Sequence, residues 1–216
     1  KKMKKIAVLI SGSGSNLEAI AKACEKNQIN GEIECVISNI PDAFGLERAK
    51  KYNLRSIIID HSLFDSRIEF DKEIDKYLSL LEIDVIVLAG FMRILGEDIT
   101  RKYFGKMINL HPSLLPLYPG LNTHSNVLQN KDKSHGISIH YVSAELDAGP
   151  IIAQGSIKVN KNESLSVLKN RIHEVEHILL PEIVNEICNE NIYLENNFVV
   201  FKNNEKFGHI LKHYDV

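Results

Sequence analysis

The sequence predicts a doubly wound α/β fold, a mostly parallel sheet with helices on both faces in a single domain. Three observations predict it. Strand-length apolar runs alternate with segments of helical periodicity, the rhythm of successive crossover units. The runs at 6–10 and 85–89 are apolar without alternation, as strands buried on both faces are. A turn reading Gly12-Ser13-Gly14-Ser15-Asn16 falls directly between the first run and an amphipathic segment, where Rossmann-like sheets place an anion.

In chain order, strands are expected at 6–10, 33–38, 56–60, 85–90 and 107–110. Leu17, Ile20, Ala21 and Cys24 share one helical face after the first, and Ile74, Tyr77, Leu78 and Leu81 share one before the fourth. Each such helix can cover the sheet. Residues 111–122, with their Pro, Gly and Asn, read as a long functional loop. Two more strands are expected at 137–142 and 151–159. A long helix follows over 164–189, with Leu168, Ile172, Val175 and Leu179 on one face and a kink at Pro181. Beyond Glu190 lies a polar tail with a hairpin at Asn196-Asn197.

Bulk properties narrow the partners. With 26 basic against 28 acidic side chains, the net charge of -2 offers no footprint for nucleic acid or an anionic membrane surface. The longest apolar runs fall far short of the roughly 20 residues of a membrane helix. The basic start, Lys1-Lys2-Met3-Lys4-Lys5, precedes an apolar stretch that breaks at Ser11-Gly12, too early for a secretory signal, and reads as a solvated end. Cys24, Cys35 and Cys188 are odd in number and widely spaced with no CxxC, which predicts a reducing compartment and no thiolate zinc site.

Four groups of residues carry candidate chemistry. The glycine turn reads as a phosphate cradle in which Gly14 admits the backbone of an anion site and Ser15 and Asn16 offer donors. Position 17 is Leu, so the third glycine of the dinucleotide fingerprint is missing and a mononucleotide fits better than NAD. The alternative is a plain tight turn capped by Ser or Asn. Asn109 and His111 close the fifth strand at i and i+2, an amide donor beside an imidazole, as an oxyanion in acyl transfer requires. The alternative is a turn histidine before Pro112. Asp147, in the turn before an apolar strand, could orient His111 or serve merely as an Asx-turn residue. His173-Glu174-Val175-Glu176-His177 matches the helical H-E-x-x-H pattern of zinc proteases, but no third ligand follows. His209 and His213 repeat the i, i+4 spacing in the tail and are read as solvated.

Taken in order, four segments resemble the phosphoribosylglycinamide formyltransferases, a folate-dependent formyltransferase family of purine synthesis. They are Gly12-Ser13-Gly14-Ser15-Asn16-Leu17, Ala89-Gly90-Phe91-Met92-Arg93-Ile94-Leu95, Asn109-Leu110-His111-Pro112-Ser113-Leu114-Leu115-Pro116 and Leu146-Asp147-Ala148-Gly149-Pro150. The resemblance spans about 5–189. It implies transfer of a formyl group from 10-formyltetrahydrofolate to the amine of glycinamide ribonucleotide, without a metal, by a cytoplasmic monomer or homodimer. Asn109, His111 and Asp147 would be catalytic, with Ser138 backing them. Gly14, Ser15 and Asn16 would hold the substrate phosphate, with His173 and Glu176 on the substrate and Glu176 at its ribose. Folate would lie against Met92, Arg93, Ile94 and Leu95, against Ser143, Ala144, Glu145, Leu146 and Asp147, and beside Asn109, with Arg67 near its glutamate tail.

The resemblance divides the domain 1–216 into a phosphate-binding half over about 1–105, a catalytic and folate-binding half over about 106–189 and a tail over 190–216. Family members often carry His where this chain has Asn122, and that position is left out of the chemistry. The related tRNA formyltransferases and formyltetrahydrofolate hydrolases carry further domains for which this length leaves no room, which favours the small acceptor.

Overall fold

The computed structural model describes residues 2–202 and 209–216. Lys1 of the basic start and residues 203–208 of the tail lie outside the described residues. β1 (Lys4–Ile10) has its last five residues buried, and its alternating side chains feed two cores. Ile6, Val8 and Ile10 enter one core with Leu17 and Ile20 of α1 (Ser15–Glu25) and Leu168, Ile172 and Val175 of α6 (Leu165–Cys188). Ala7 and Leu9 enter the other with Phe70, Ile74 and Leu78 of α3 (Arg67–Leu80) and Ile99 of α4 (Glu97–Lys102). α2 (Phe44–Lys51) and α5 (Thr123–Gln129) contribute Ala49 and Val127 to the α1 side. Helices therefore cover both faces.

Besides β1, the main sheet contains β2 (Gly31–Ser38), β3 (Ser56–Ile58), β4 (Val85–Leu88), β5 (Met107–His111), β6 (Ser134–Tyr141), β7 (Ile151–Lys158) and β10 (Ile210–His213). Among the described residues it has eight strands in the order β10-β7-β6-β5-β4-β1-β2-β3. From β5 to β3 all neighbours are parallel, whereas β6 is antiparallel to both β5 and β7. Strand order reverses between β1 and β4, so the crevice beyond their carboxyl ends is where an open α/β sheet takes its ligand. The glycine turn leaves β1 there, and residues 89–95 leave β4 there.

Several expectations change in the structure. The fifth strand reaches His111, and the polar stretch after it ends in a short helix, α5, that its Asn-rich composition disguised. The long helix has Ser164 as its N-cap, accepting from Val167 N at 3.3 Å, and runs on through Pro181 to Cys188. The hairpin stands at Asn196-Asn197, both left-handed, between β8 (Ile192–Glu195) and β9 (Phe198–Phe201). The larger correction is the tail. β10 pairs in parallel with β7 at the sheet edge, His213 Nδ1 lies 2.5 Å from Ser156 Oγ and His209 Nε2 lies 2.7 Å from Gln154 Oε1. Both histidines are exposed, as expected of solvated side chains, and each also has a protein partner. Two apolar residues followed by Lys212 and His213 show no alternation, and so short an edge strand carries too weak a signal.

Candidate active site

A cleft of about 570 Å³ opens at the crevice. Its walls include the whole glycine turn, the 89–95 segment, Asn109 and His111 at the end of β5, the 143–147 segment, and His173 and Glu176 of α6. Every site residue expected from the sequence lines it except two. Ser138 lies beneath the floor, fully buried. Arg67 opens α3 behind the 89–95 segment, near Gly96, and is not part of the wall.

The polar centre is built by strand pairing. Antiparallel β5 and β6 place His140 opposite Asn109 and Ser138 opposite His111. His140 Nδ1–H donates to the Tyr141 carbonyl at 3.0 Å, which leaves Nε2 to accept from Asn109 Nδ2 at 3.1 Å. Burial holds the His140 imidazolium disfavoured, despite the nearby Asp147. Asp147 sits at φ 51°, a left-handed conformation Asp tolerates. It takes Gly120 N–H on Oδ2 at 2.9 Å. It also faces Asn109 Nδ2 and His111 Nδ1, each at 3.5 Å. His111 Nε2–H donates to the Tyr118 carbonyl at 2.8 Å, so a further proton at Nδ1 would point at Asp147. Asn109, His111 and Asp147 thus enclose one point with two long, weak contacts, the geometry of polar groups that close on a reacting atom.

Below them a buried network fixes the loop after His111. Ser138 Oγ donates to the Ser113 carbonyl at 2.7 Å and accepts from Leu115 N at 3.0 Å and from Gln154 Nε2 at 2.9 Å. Asn122, in the left-handed region at φ 60°, starts α5. His140 and Gln154 were missed from the sequence. His140 shares a strand face with Ser138 at i, i+2, a signal available only once β6 is known to pair with β5.

At the other end, the turn does not have a side-chain cap. Gly14 is the N-cap of α1 in the left-handed region, at φ 69°, so the Ser or Asn capping alternative does not hold. Glycine is also required there for a reason the sequence did not show. A Cβ on Gly14 would stand 2.5 Å from Gly45 Cα of α2, whereas one on Gly12 would meet nothing within 4 Å. Asn16 Nδ2 donates to Glu176 Oε2 at 3.0 Å, tying α1 to α6. The H-E-x-x-H residues are divided by this contact: Glu176 faces the turn, and the rings of His173 and His177 stack 6.2 Å apart. Among the described residues no group of three or more His, Cys, Asp or Glu is placed to hold a metal ion.

Burial pushes the Glu176 carboxyl up to about 7 from 4.5, the Asn16 amide offsetting part of this. The folded chain therefore keeps a proton that the unfolded chain has released. The penalty for burying the carboxylate is absent below pH 4.5, grows as pH rises towards about 7 and is complete above it. Glu176→Gln keeps the shape and removes the charge. Its unfolding free energy, relative to the original chain, is expected to rise over that interval by on the order of 1–3 kcal/mol. Denaturant unfolding at pH 4.5 and pH 8 checks this, and a pH-independent difference would contradict it.

The matched family model joins this geometry to known proteins. Residues 4–184 match the formyl transferase family, and the chain belongs to that family. Within it, the chain is similar to a particular enzyme. It is 43% identical over 192 residues to the phosphoribosylglycinamide formyltransferase of Escherichia coli, covering 89% of this chain and 91% of that protein. The enzyme of the same name from Bacillus subtilis is 35% identical, with 88% and 97% covered. The structure of phosphoribosylglycinamide formyltransferase from Coxiella burnetii superimposes with a TM-score of 0.91 at 42% identity, covering 96% of this chain and 99% of that one.

Proposed function

We propose that the chain is a phosphoribosylglycinamide formyltransferase, moving the formyl group of 10-formyltetrahydrofolate to the amine of glycinamide ribonucleotide in purine synthesis. The observation that carries this reading is the convergence, in one cleft, of Asn109, His111 and Asp147 with an anion-binding turn and a buried Glu176. The nucleotide phosphate binds at Gly14, Ser15 and Asn16, where the first amides of α1 lack helical partners. Its ribose meets Glu176, with His173 alongside. That arrangement carries the amine along the cleft to the polar centre.

The folate is a co-substrate, and the wall opposite fits a flat heteroaromatic group. Met92, Ile94 and Leu146 are 65%, 53% and 52% exposed over the cleft, an apolar mouth of the kind that marks a binding groove. Arg93, Leu95, Ser143, Ala144 and Glu145 complete that wall. Arg67, outside it, is proposed to act only on the distal glutamate tail.

The amine attacks the formyl carbon directly. As the carbon–nitrogen bond forms, negative charge develops on the formyl oxygen in the space enclosed by Asn109, His111 and Asp147. The Asn109 amide hydrogen held only by the 3.5 Å contact to Asp147 turns to this oxygen, and protonated His111 adds its charge. Asp147 steadies the imidazolium and receives, through water, the proton the amine loses. That proton ends on the folate nitrogen as its bond to the formyl carbon breaks. Ser138 holds the loop that aims His111.

The test is formyl transfer by the purified protein, with both substrates, in the presence and absence of EDTA. Turnover is expected to be the same in both, with no stoichiometric metal in the protein. No transfer, or activity abolished by chelation, would overturn the reading. The cytoplasm as location, the monomer or homodimer, the absence of nucleic-acid partners and the division of the domain at about 105 and 189 are part of the same proposal. On the membrane, the structure bears in one respect: among the described residues no helix is long and apolar enough to cross one.

A further inference from the structure

The carbonyl oxygens of Gly12, Ser13 and Gly14 all accept hydrogen bonds from within the protein. Gly12 O accepts from Gly45 N of α2 at 2.9 Å, Gly14 O accepts from Glu18 N of α1 at 2.9 Å, and Ser13 O accepts from Arg48 Nε at 2.8 Å. The first two are backbone contacts. The third depends on one side chain. The Arg48 guanidinium is held in place by an ion pair with the buried Glu18 and by stacking over the Phe44 ring, 5.2 Å from its centroid.

We infer that Arg48 is a positioning residue for the substrate phosphate, holding the Ser13 carbonyl on α2 so that the turn offers only N–H groups to the anion. The inference rests on the phosphate site proposed above. Without that hold, the peptide between Ser13 and Gly14 is free to rotate, because Gly14 is equally at ease on either side of φ zero. A carbonyl oxygen swung towards the cleft would oppose a phosphate dianion. Arg48 suits this task because its planar fork donates in two directions at once, to Ser13 O and to Glu18, which a lysine point charge does not. Glu18 keeps Lys51 Nζ at 3.0 Å and Tyr52 OH at 3.2 Å when Arg48 is removed. The buried carboxylate is then still paired, and the fold tolerates the change.

Arg48→Met and Arg48→Lys test it, with glycinamide ribonucleotide and the unphosphorylated glycinamide riboside as acceptors. Arg48→Met is expected to raise KM for the nucleotide about 10-fold, the equivalent of one hydrogen-bonded charge contact, with kcat and the folate KM unchanged. Arg48→Lys should lose most of the same, and neither should change kcat/KM for the riboside. An equal loss for riboside and nucleotide, a wild-type KM in Arg48→Lys, or a lowered Tm with unchanged KM would each overturn the inference. The unsubstituted protein settles the underlying site separately. If it used riboside and nucleotide alike, the phosphate reading itself would fail before any variant was compared.

Discussion

Asn109→Ala and His111→Ala are each expected to lower kcat about 100-fold or more, the usual cost of removing an oxyanion donor or its charged partner. The magnitude follows from the polar centre. Asn109 holds one amide hydrogen on His140 and leaves the other, in long contact with Asp147, to turn to the oxyanion. His111 faces Asp147 through Nδ1 at 3.5 Å, the atom at which an imidazolium proton would point to the carboxylate. Each substitution should leave nucleotide affinity within a few-fold, since neither group lies at the phosphate end. Circular dichroism and steady-state kinetics decide the matter. Near wild-type kcat in both variants would remove these residues from the chemistry.

Gly14→Val should act at the opposite end and for a different reason. Its Cβ would come within 2.5 Å of Gly45 Cα while the backbone stays at φ 69°, so two penalties combine. A β-branched residue in the left-handed region costs on the order of 1–3 kcal/mol, and the backbone clash forces α2 and the turn apart. Two charge-assisted contacts to phosphate lost at about 1.5–3 kcal/mol each correspond to roughly 100-fold or more in affinity for the nucleotide. Folate affinity should change little, because residues 92–95 leave a different strand. Calorimetric titration with each ligand separates these effects, and equal losses for both would contradict the assignment of the turn.

Much of this was legible in the sequence, and the limits have physical causes. The parallel half was readable because strands such as 85–88 are buried on both faces and show as unbroken apolar runs. The i, i+2 spacing of Asn109 and His111 was readable because a strand's period is two. His140 was not, although it lies on the same face as Ser138, because a long connection separates β5 from β6 and no hairpin fixes their register. The reason for Gly14 was hidden as well. Its contact with Gly45 joins residues 31 positions apart, and local sequence shows only that a turn wants glycine. The edge strand β10 lay deepest, since its docking depends on pairing with β7 and not on its own pattern.

The antiparallel pairing of β5 with β6 sets which side chains face one another whatever the length of the segment that joins them, and it makes the centre intolerant of change within the strands. Residues 113–120 hold His111, Asp147 and Ser138 directly, but changes to the connection beyond Gly120 would still leave Asn109 facing His140 and His111 facing Ser138. One residue inserted between Met107 and Asn109 would turn the amide and the imidazole to the opposite face of the sheet, towards α1 and α6. New acceptors are therefore more readily reached by remodelling the connection beyond Gly120 than by editing the strand that precedes it.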